Sequence, residues 1–235
     1  MNKLHEYMKA NHDMKTFTHV PQEKKILNLK TETIKGKRFY VLPSGDKYPS
    51  ITTVLSDRGN AGILKWRESV GEQVANTIMR NAASRGTAVH TLTENYLNNE
   101  ELSQQGVLPT ALFTILKTEL DKINNIVMQE GALYSDKWGV AGRVDCIAEY
   151  EDKLSVIDFK TSTKDKKEEW IENYFIQGTA YAKMFTERTN IPCDQLVIFI
   201  MPDSGVPQIF IKSVDDYTPL LITAIEDFKS YQQKT

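Results

Sequence analysis

A chain of 235 residues, 40% hydrophobic and 26% charged, suits one large domain or one domain with an N-terminal extension. Its formal net charge of −2 excludes a globally basic nucleic-acid binder, so any such surface must be local, although residues 1–40 carry nine Lys/Arg against four Asp/Glu. No apolar run approaches the roughly 20 residues needed to span a membrane, and two cysteines exclude a four-cysteine metal site within one chain.

The N-terminal stretch MNKLHEYMKANHDMKTFTHV lacks the apolar core of a signal peptide. It also lacks the Arg-rich character of an organelle presequence, Arg38 being the first arginine. With Cys146 and Cys193 read as free thiols in a reducing compartment, the expected location is the cytoplasm. Residues 25–56 predict short strands broken at Lys35-Gly36 and at Ser44-Gly45-Asp46. From about residue 63 to 99 the pattern predicts helix in two pieces, with a break near Ser84-Arg85-Gly86. Leu112, Ile115, Leu116, Leu120, Ile123 and Val127 predict a further helix over 110–130.

Strands are expected at 138–150 and 154–161, then a helix at 174–188, strands at 195–201 and 207–214, and a closing helix near 216–232. Strands interleaved with helices predict an α/β core, without internal repeats or low-complexity segments.

The chemistry starts in VIDFKTS (156–162), where Val156, Asp158 and Lys160 share one face of a strand. The preceding run, GVAGRVDCIAEY, leads into a tight turn at Glu151-Asp152 or a four-residue loop at 150–153, which gives the same register. Either sets Asp145 directly opposite Asp158, with Cβ atoms roughly 5 Å apart. Two carboxylates at that distance repel, and a divalent cation between them relieves the repulsion. Lys160, on the same face, can orient a water or stabilise charge developing on a phosphate. A lone D-x-K match is common and by itself describes an ordinary surface hairpin.

Further residues extend the pattern. RGTAVHTLTENYL (85–97) puts His90 and Glu94 one helical turn apart, and YFIQGTAYAKMF (174–185) does the same for Gln177 and Tyr181. Each has a bland reading, as a half-buried histidine, a core tyrosine or a surface glutamine.

Taken in order, these stretches resemble the PD-(D/E)XK nuclease superfamily in its RecB-like branch. That branch carries an upstream His, an Asp, a D-x-K and a Q-x3-Y. YPSITTVLS (48–56), RGTAVH (85–90) and GRVDCIAEYEDKLSVIDFKTS (142–162) are similar to phage-encoded exonucleases and to those of mitochondrial genome maintenance. Val144 stands where proline precedes the first Asp in much of the superfamily, and the iron–sulfur cysteines of some relatives are absent. Lacking a presequence, the chain fits a phage or bacterial setting better than a mitochondrial one.

The resemblance implies a central mixed β-sheet flanked by helices. The nuclease domain would span 48–235, after an N-terminal extension with short strands over 1–47. It implies a Mg2+-dependent DNA exonuclease, with Mn2+ able to substitute, working in replication, recombination or repair. His90, Asp145, Asp158 and the Phe159 carbonyl would hold metal, and Lys160 would act on the water or the transition state. Gln177, Tyr181, Thr161, Ser162 and Arg85 would support the site or contact DNA, and Glu94 or Glu130 is open as a ligand to a second metal.

The expected partner is DNA, single-stranded and with free ends, together with other replication or recombination proteins. Its bases would stack on aromatics such as Tyr96 or Trp66. A structure-specific endonuclease of the same fold, or a catalytically silent DNA-binding module, are the alternatives.

Overall fold

The computed structural model describes residues 15–21, 28–56 and 60–232. Strands β1 (Lys30–Ile34), β2 (Lys37–Val41) and β3 (Lys47–Pro49) form a small antiparallel sheet, followed by the short helix α1 (Ile51–Leu55). Helices α2 (Asn60–Val70), α3 (Glu72–Leu97) and α4 (Val107–Leu120) come next. The main sheet then begins with β4 (Ile123–Ser135), β5 (Val140–Tyr150) and β6 (Lys153–Ser162). Helix α5 (Glu172–Thr189), β7 (Gln195–Pro202), β8 (Gln208–Ser213) and α6 (Val214–Gln232) complete the chain.

The main sheet has the order β4-β5-β6-β7-β8, antiparallel except where β6 runs parallel to β7. That parallel pair needs a crossover, and α5 supplies it. This is the expected mixed sheet flanked by helices. Along β6, Val156 faces one side and Ile157 the other, so the strand feeds two cores. On the first face Phe175 and Phe185 of α5, with Leu221 and Phe228 of α6, cover Val156, Ile198 and Ile200. On the second, Val89, Leu92 and Tyr96 of α3 and Leu112, Phe113 and Leu116 of α4 cover Ile157, Val197 and Phe199. Each such large side chain contributes about 1.5–3 kcal/mol when fully buried.

Of the two connections the register allowed, the chain takes the two-residue turn between β5 and β6, with Glu151 and Asp152 both left-handed at φ 50° and 62°. A turn of that hand matches the strand twist. The small sheet rests on the main one through Leu29, Tyr40 and Leu42 against Ala132 and Ala141, and a bridge joins Ser50 to Ala141.

Three expectations are corrected. The predicted helix over 110–130 ends at Leu120, and Ile123–Ser135 is a strand. Leu120, Ile123 and Val127 keep helical spacing by coincidence. Asn124 and Asn125 weaken helix in favour of extended chain, and a register shift between Asn124 and Met128 breaks any clean alternation. The long helical region breaks at Gly71, whose φ of 83° suits glycine, and runs unbroken through Ser84-Arg85-Gly86. Residues 51–55, expected within a strand region, form a helix capped by the Ser50 side chain accepting from Thr53 N–H. Among the described residues no helix is long and apolar enough to cross a membrane.

Candidate active site

The β5–β6 ladder follows the expected register from Tyr150 opposite Lys153 up to Cys146 opposite Ile157. It is not continued to the next pair, Asp145 and Asp158: β6 pairs onward with β7, while β5 pairs with β4. In place of a backbone partner, the Asp145 carboxylate accepts a hydrogen bond from Phe159 N–H at 3.0 Å. The parting of two strands thus creates a notch edged by carboxylates.

His90 enters this notch from α3. A carbonyl can only accept, so the short contact between His90 Nε2 and the Phe159 carbonyl makes Nε2 the protonated nitrogen. Nδ1, which carries the lone pair in the neutral ring, stands 3.7 Å from Asp145 Oδ2, too long for a hydrogen bond. The Phe159 carbonyl, expected to be a metal ligand, is therefore engaged by the imidazole.

Glu130 joins them from β4. Gln129 pairs with Cys146 and Gly131 with Val144, which sets Glu130 against Asp145. Its backbone is left-handed, φ 46°, a conformation a non-glycine residue adopts only under constraint. Burial, followed by the charges of Asp145 and Glu94, pushes its carboxyl up to about 6. His90, Glu130 and Asp145 each offer a ligand atom, all within 4.8 Å of one another. An imidazole nitrogen and two carboxylates in this arrangement suit a divalent cation.

Asp158 lies beside that group rather than within it. It is 2% exposed; the Lys160 ammonium donates to Oδ2 in an ion pair, while Oδ1 is buried without a hydrogen-bond partner among the described residues. Burial pushes its pKa up, Lys160 pulls it down, Asp145 pushes it up further, and the net direction is upward. An under-satisfied buried carboxylate is a costly feature that a cation would relieve. Lys160 also lies over the Tyr174 ring at 5.3 Å. Burial lowers its pKa, but Asp158 and Asp145 outweigh that and hold it raised, so the side chain stays charged.

A cavity of about 260 Å³ opens over the notch, lined by His90, Glu130 and Asp145 together with Gln177 and Tyr181 of α5. Gln177 Nε2 donates to the Tyr181 hydroxyl at 3.0 Å, which leaves the phenol proton free to donate elsewhere. Burial raises the Tyr181 pKa well above its usual value, so the phenol stays protonated. Opposite it is Gly142, where an added Cβ would stand 2.5 Å from Tyr181 Cε1. The bare backbone makes room for the ring.

The remaining candidates lie around this centre. Thr161 lies near Gly86 of α3, where an added Cβ would stand in ordinary contact, 3.5 Å from the Thr161 hydroxyl. Ser162 is buried and its hydroxyl donates to the Lys164 carbonyl, so it builds the loop after β6. Arg85 pairs with Asp203 at 3.1 Å, tying α3 to the end of β7. Glu94 is half-buried and close enough to Glu130 to raise its pKa.

Tyr96 cannot stack on a base: it is 1% exposed, packs edge-on to Phe17 and Phe113, and its hydroxyl bonds Asp121. Trp66 is half-buried on α2. Sequence reasoning gave no role to Arg38, Tyr40, Ser50, Thr52 or Arg143, which also line the cavity. The signal was present, since Ser50 and Thr52 fall inside YPSITTVLS and Arg143 inside GRVD.

No family model matches this sequence. The chain is 26% identical over 168 residues to human mitochondrial genome maintenance exonuclease 1, covering 64% of this chain and 48% of the relative. To the mouse protein of the same name it is 28% identical over 133 residues, covering 50% and 38%. The chain thus spans about half the length, or less, of these relatives. The likeness supports the nuclease-superfamily resemblance read from the motifs, with which the RecB-like branch agrees. A solved structure from Eubacterium rectale, provisionally described as an exonuclease, matches with a TM-score of 0.45 at 16% identity, covering 62% of this chain and 63% of its own, a likeness too slight to argue from.

Proposed function

We propose that the protein is a Mg2+-dependent DNA exonuclease, able to use Mn2+, that degrades single strands from free ends in replication, recombination or repair. The observation that carries this reading is the convergence of His90, Glu130 and Asp145 beside the under-satisfied Asp158 and its Lys160 partner. The relatives named as exonucleases support the same reading. In this account residues 48–235 make the nuclease domain and 1–47 its extension.

His90 Nδ1, Glu130 and Asp145 would hold the divalent ion, with Asp158 alongside. When bound, that ion supplies Lewis acidity at a phosphoryl oxygen and lowers the pKa of a water. The Phe159 carbonyl fixes the tautomer that leaves Nδ1 available, an orienting role of the kind metal-binding histidines depend on. Lys160, kept charged by its acidic neighbours, positions the attacking water or stabilises the charge that grows on the phosphate. Gln177 orients the Tyr181 hydroxyl, which can donate to a phosphate oxygen in the cavity. Among the described residues of α2 and the first half of α3, Ala75 is the one buried hydrophobic residue. That stretch is offered as the wall along which a single strand passes to the site.

The test is incubation with end-labelled linear single-stranded and duplex DNA, with Mg2+ or with EDTA. Release of mononucleotides or short oligonucleotides from the single strand, abolished by EDTA, is expected. Tight binding without hydrolysis of either substrate would favour a silent module instead.

A further inference from the structure

We infer that Arg38 and Arg143 form a second anion subsite in the same cavity, which takes the phosphate next to the scissile one. This rests on the nuclease reading for the identity of the anion, but not for the existence of the subsite.

Both arginines line the cavity that holds His90, Glu130 and Asp145. Lys160, the cation assigned to the scissile phosphate, does not line it. Two arginines in the cavity, apart from Lys160, would serve a neighbouring phosphate of the same strand. Their placement is built rather than incidental. Arg38 is pinned by its backbone: its carbonyl accepts from Ser50 N–H at 2.9 Å and from the Thr53 hydroxyl at 3.2 Å, and its N–H donates to Thr53 Oγ1 at 3.1 Å.

The Arg38 side chain is exposed, and among the described residues it has neither an ion pair nor a side-chain hydrogen bond. Arg143 donates from Nη1 to the Glu130 carbonyl at 2.8 Å, which steadies one edge of its guanidinium and leaves the other edge open. The bridge from Ser50 to Ala141 ties the small sheet carrying Arg38 to the strand carrying Arg143. Thr52, exposed in the same lining, donates its hydroxyl proton to Ser50 Oγ at 2.9 Å, since Ser50 donates its own to Thr53.

Guanidinium groups match phosphate geometry in paired hydrogen bonds, and such contacts set register without reading sequence. Arginines beside an acidic, metal-ready group, with Arg143 bonded to the Glu130 carbonyl, suit a strand whose successive phosphates reach both. Through Arg38 the N-terminal sheet, which a bare nuclease core does not need, becomes part of substrate positioning.

The experiment measures binding of a fluorescent single-stranded oligodeoxynucleotide to the full chain carrying Lys160→Ala, in Mn2+, across a salt series. Each phosphate contact to a single strand contributes about 0.7 to the slope of log affinity against log salt. Arg38→Gln and Arg143→Gln should each lower that slope by about 0.7, and the double variant by about twice as much, with at least about tenfold weaker binding at moderate salt. Arg143→Lys should keep most of the slope, and Lys153→Gln, at the distant β5–β6 turn, should leave it unchanged.

A slope within error of the parent in the double variant, or no binding by the parent, overturns the subsite. Cleavage of the same oligonucleotide by the unaltered protein is read separately. Cleavage with an unchanged slope sinks the subsite alone, and a lowered slope without cleavage sinks the nuclease reading alone.

Discussion

His90 and Asp145 grip opposite polar groups of a single residue: the imidazole holds the carbonyl of Phe159 and the carboxylate holds its N–H. Each is thereby aimed at the other with a gap of 3.7 Å between Nδ1 and Oδ2. The gap lies where β5 and β6 part, so the strand architecture itself sets the spacing of the candidate metal ligands.

Removing the imidazole tests that arrangement. His90→Ala should lower the cleavage rate by about two to four orders of magnitude, the range expected when a positioned group is lost. The protein should stay folded, because the ring is half-exposed and the core on that face rests on Val89, Leu92 and Tyr96. Thermal melting and single-turnover kinetics read the two effects apart. An unchanged rate in folded protein removes His90 from the site.

Asp158 and Lys160 should separate in a titration with Mn2+. Asp158→Ala takes away an oxygen beside the cation and should weaken binding while abolishing cleavage. Lys160→Ala offers no ligand to lose, so cleavage should vanish with affinity kept within a few-fold. Equal loss of affinity in both variants, measured by calorimetry, contradicts these roles.

Glu130 links the cation to pH. Its folded pKa of about 6 lies above the ordinary 4.5, so the folded state holds its proton more tightly than the unfolded chain. Without metal, this group favours folding below about pH 4.5, and that contribution fades as pH rises through 6. A bound cation prefers the ionised carboxylate, so Mn2+ should raise the melting temperature more at pH 7.5 than at pH 5.0. Glu130→Gln should lessen that pH dependence. Equal stabilisation by Mn2+ at both pH values would count against a cation on this carboxylate.

Gly142 should tolerate no side chain. A Cβ placed 2.5 Å from Tyr181 Cε1 meets the body of a buried ring, not a flexible tip. Gly142→Ala should cost about 1–3 kcal/mol through overpacking and should lower activity by displacing Tyr181 from the cavity. Tyr181→Phe keeps the packing and isolates the hydroxyl. Denaturant melts and cleavage assays on both variants check this, and a fully stable, fully active Gly142→Ala protein refutes it.

The sequence made the β5–β6 hairpin legible because a two-residue turn at Glu151-Asp152 and a four-residue loop at 150–153 both set the same register. It also brought Gln177 and Tyr181 to one helix face, where a hydrogen bond joins them. Glu130 was only an open possibility, because its place depends on a register shift in β4 and a left-handed backbone that no local pattern announces. Ile123 to Val127 disguised that strand as helix. Tyr96 looked like a stacking platform because its burial by Phe17 and Phe113 comes from segments distant in sequence. Arg38 was hidden for the same reason, since the contact between the small sheet and β5 is purely tertiary.

The most direct measurement compares linear and circular single-stranded DNA of the same length, at equal nucleotide concentration, in Mg2+ and low salt. Low salt matters because phosphate contacts weaken steeply as ionic strength rises. The account predicts that the linear strand is degraded, that the circle survives, and that Lys160→Ala spares both. Rapid cutting of the circle by the unaltered protein would contradict the exonuclease assignment and point to an endonuclease.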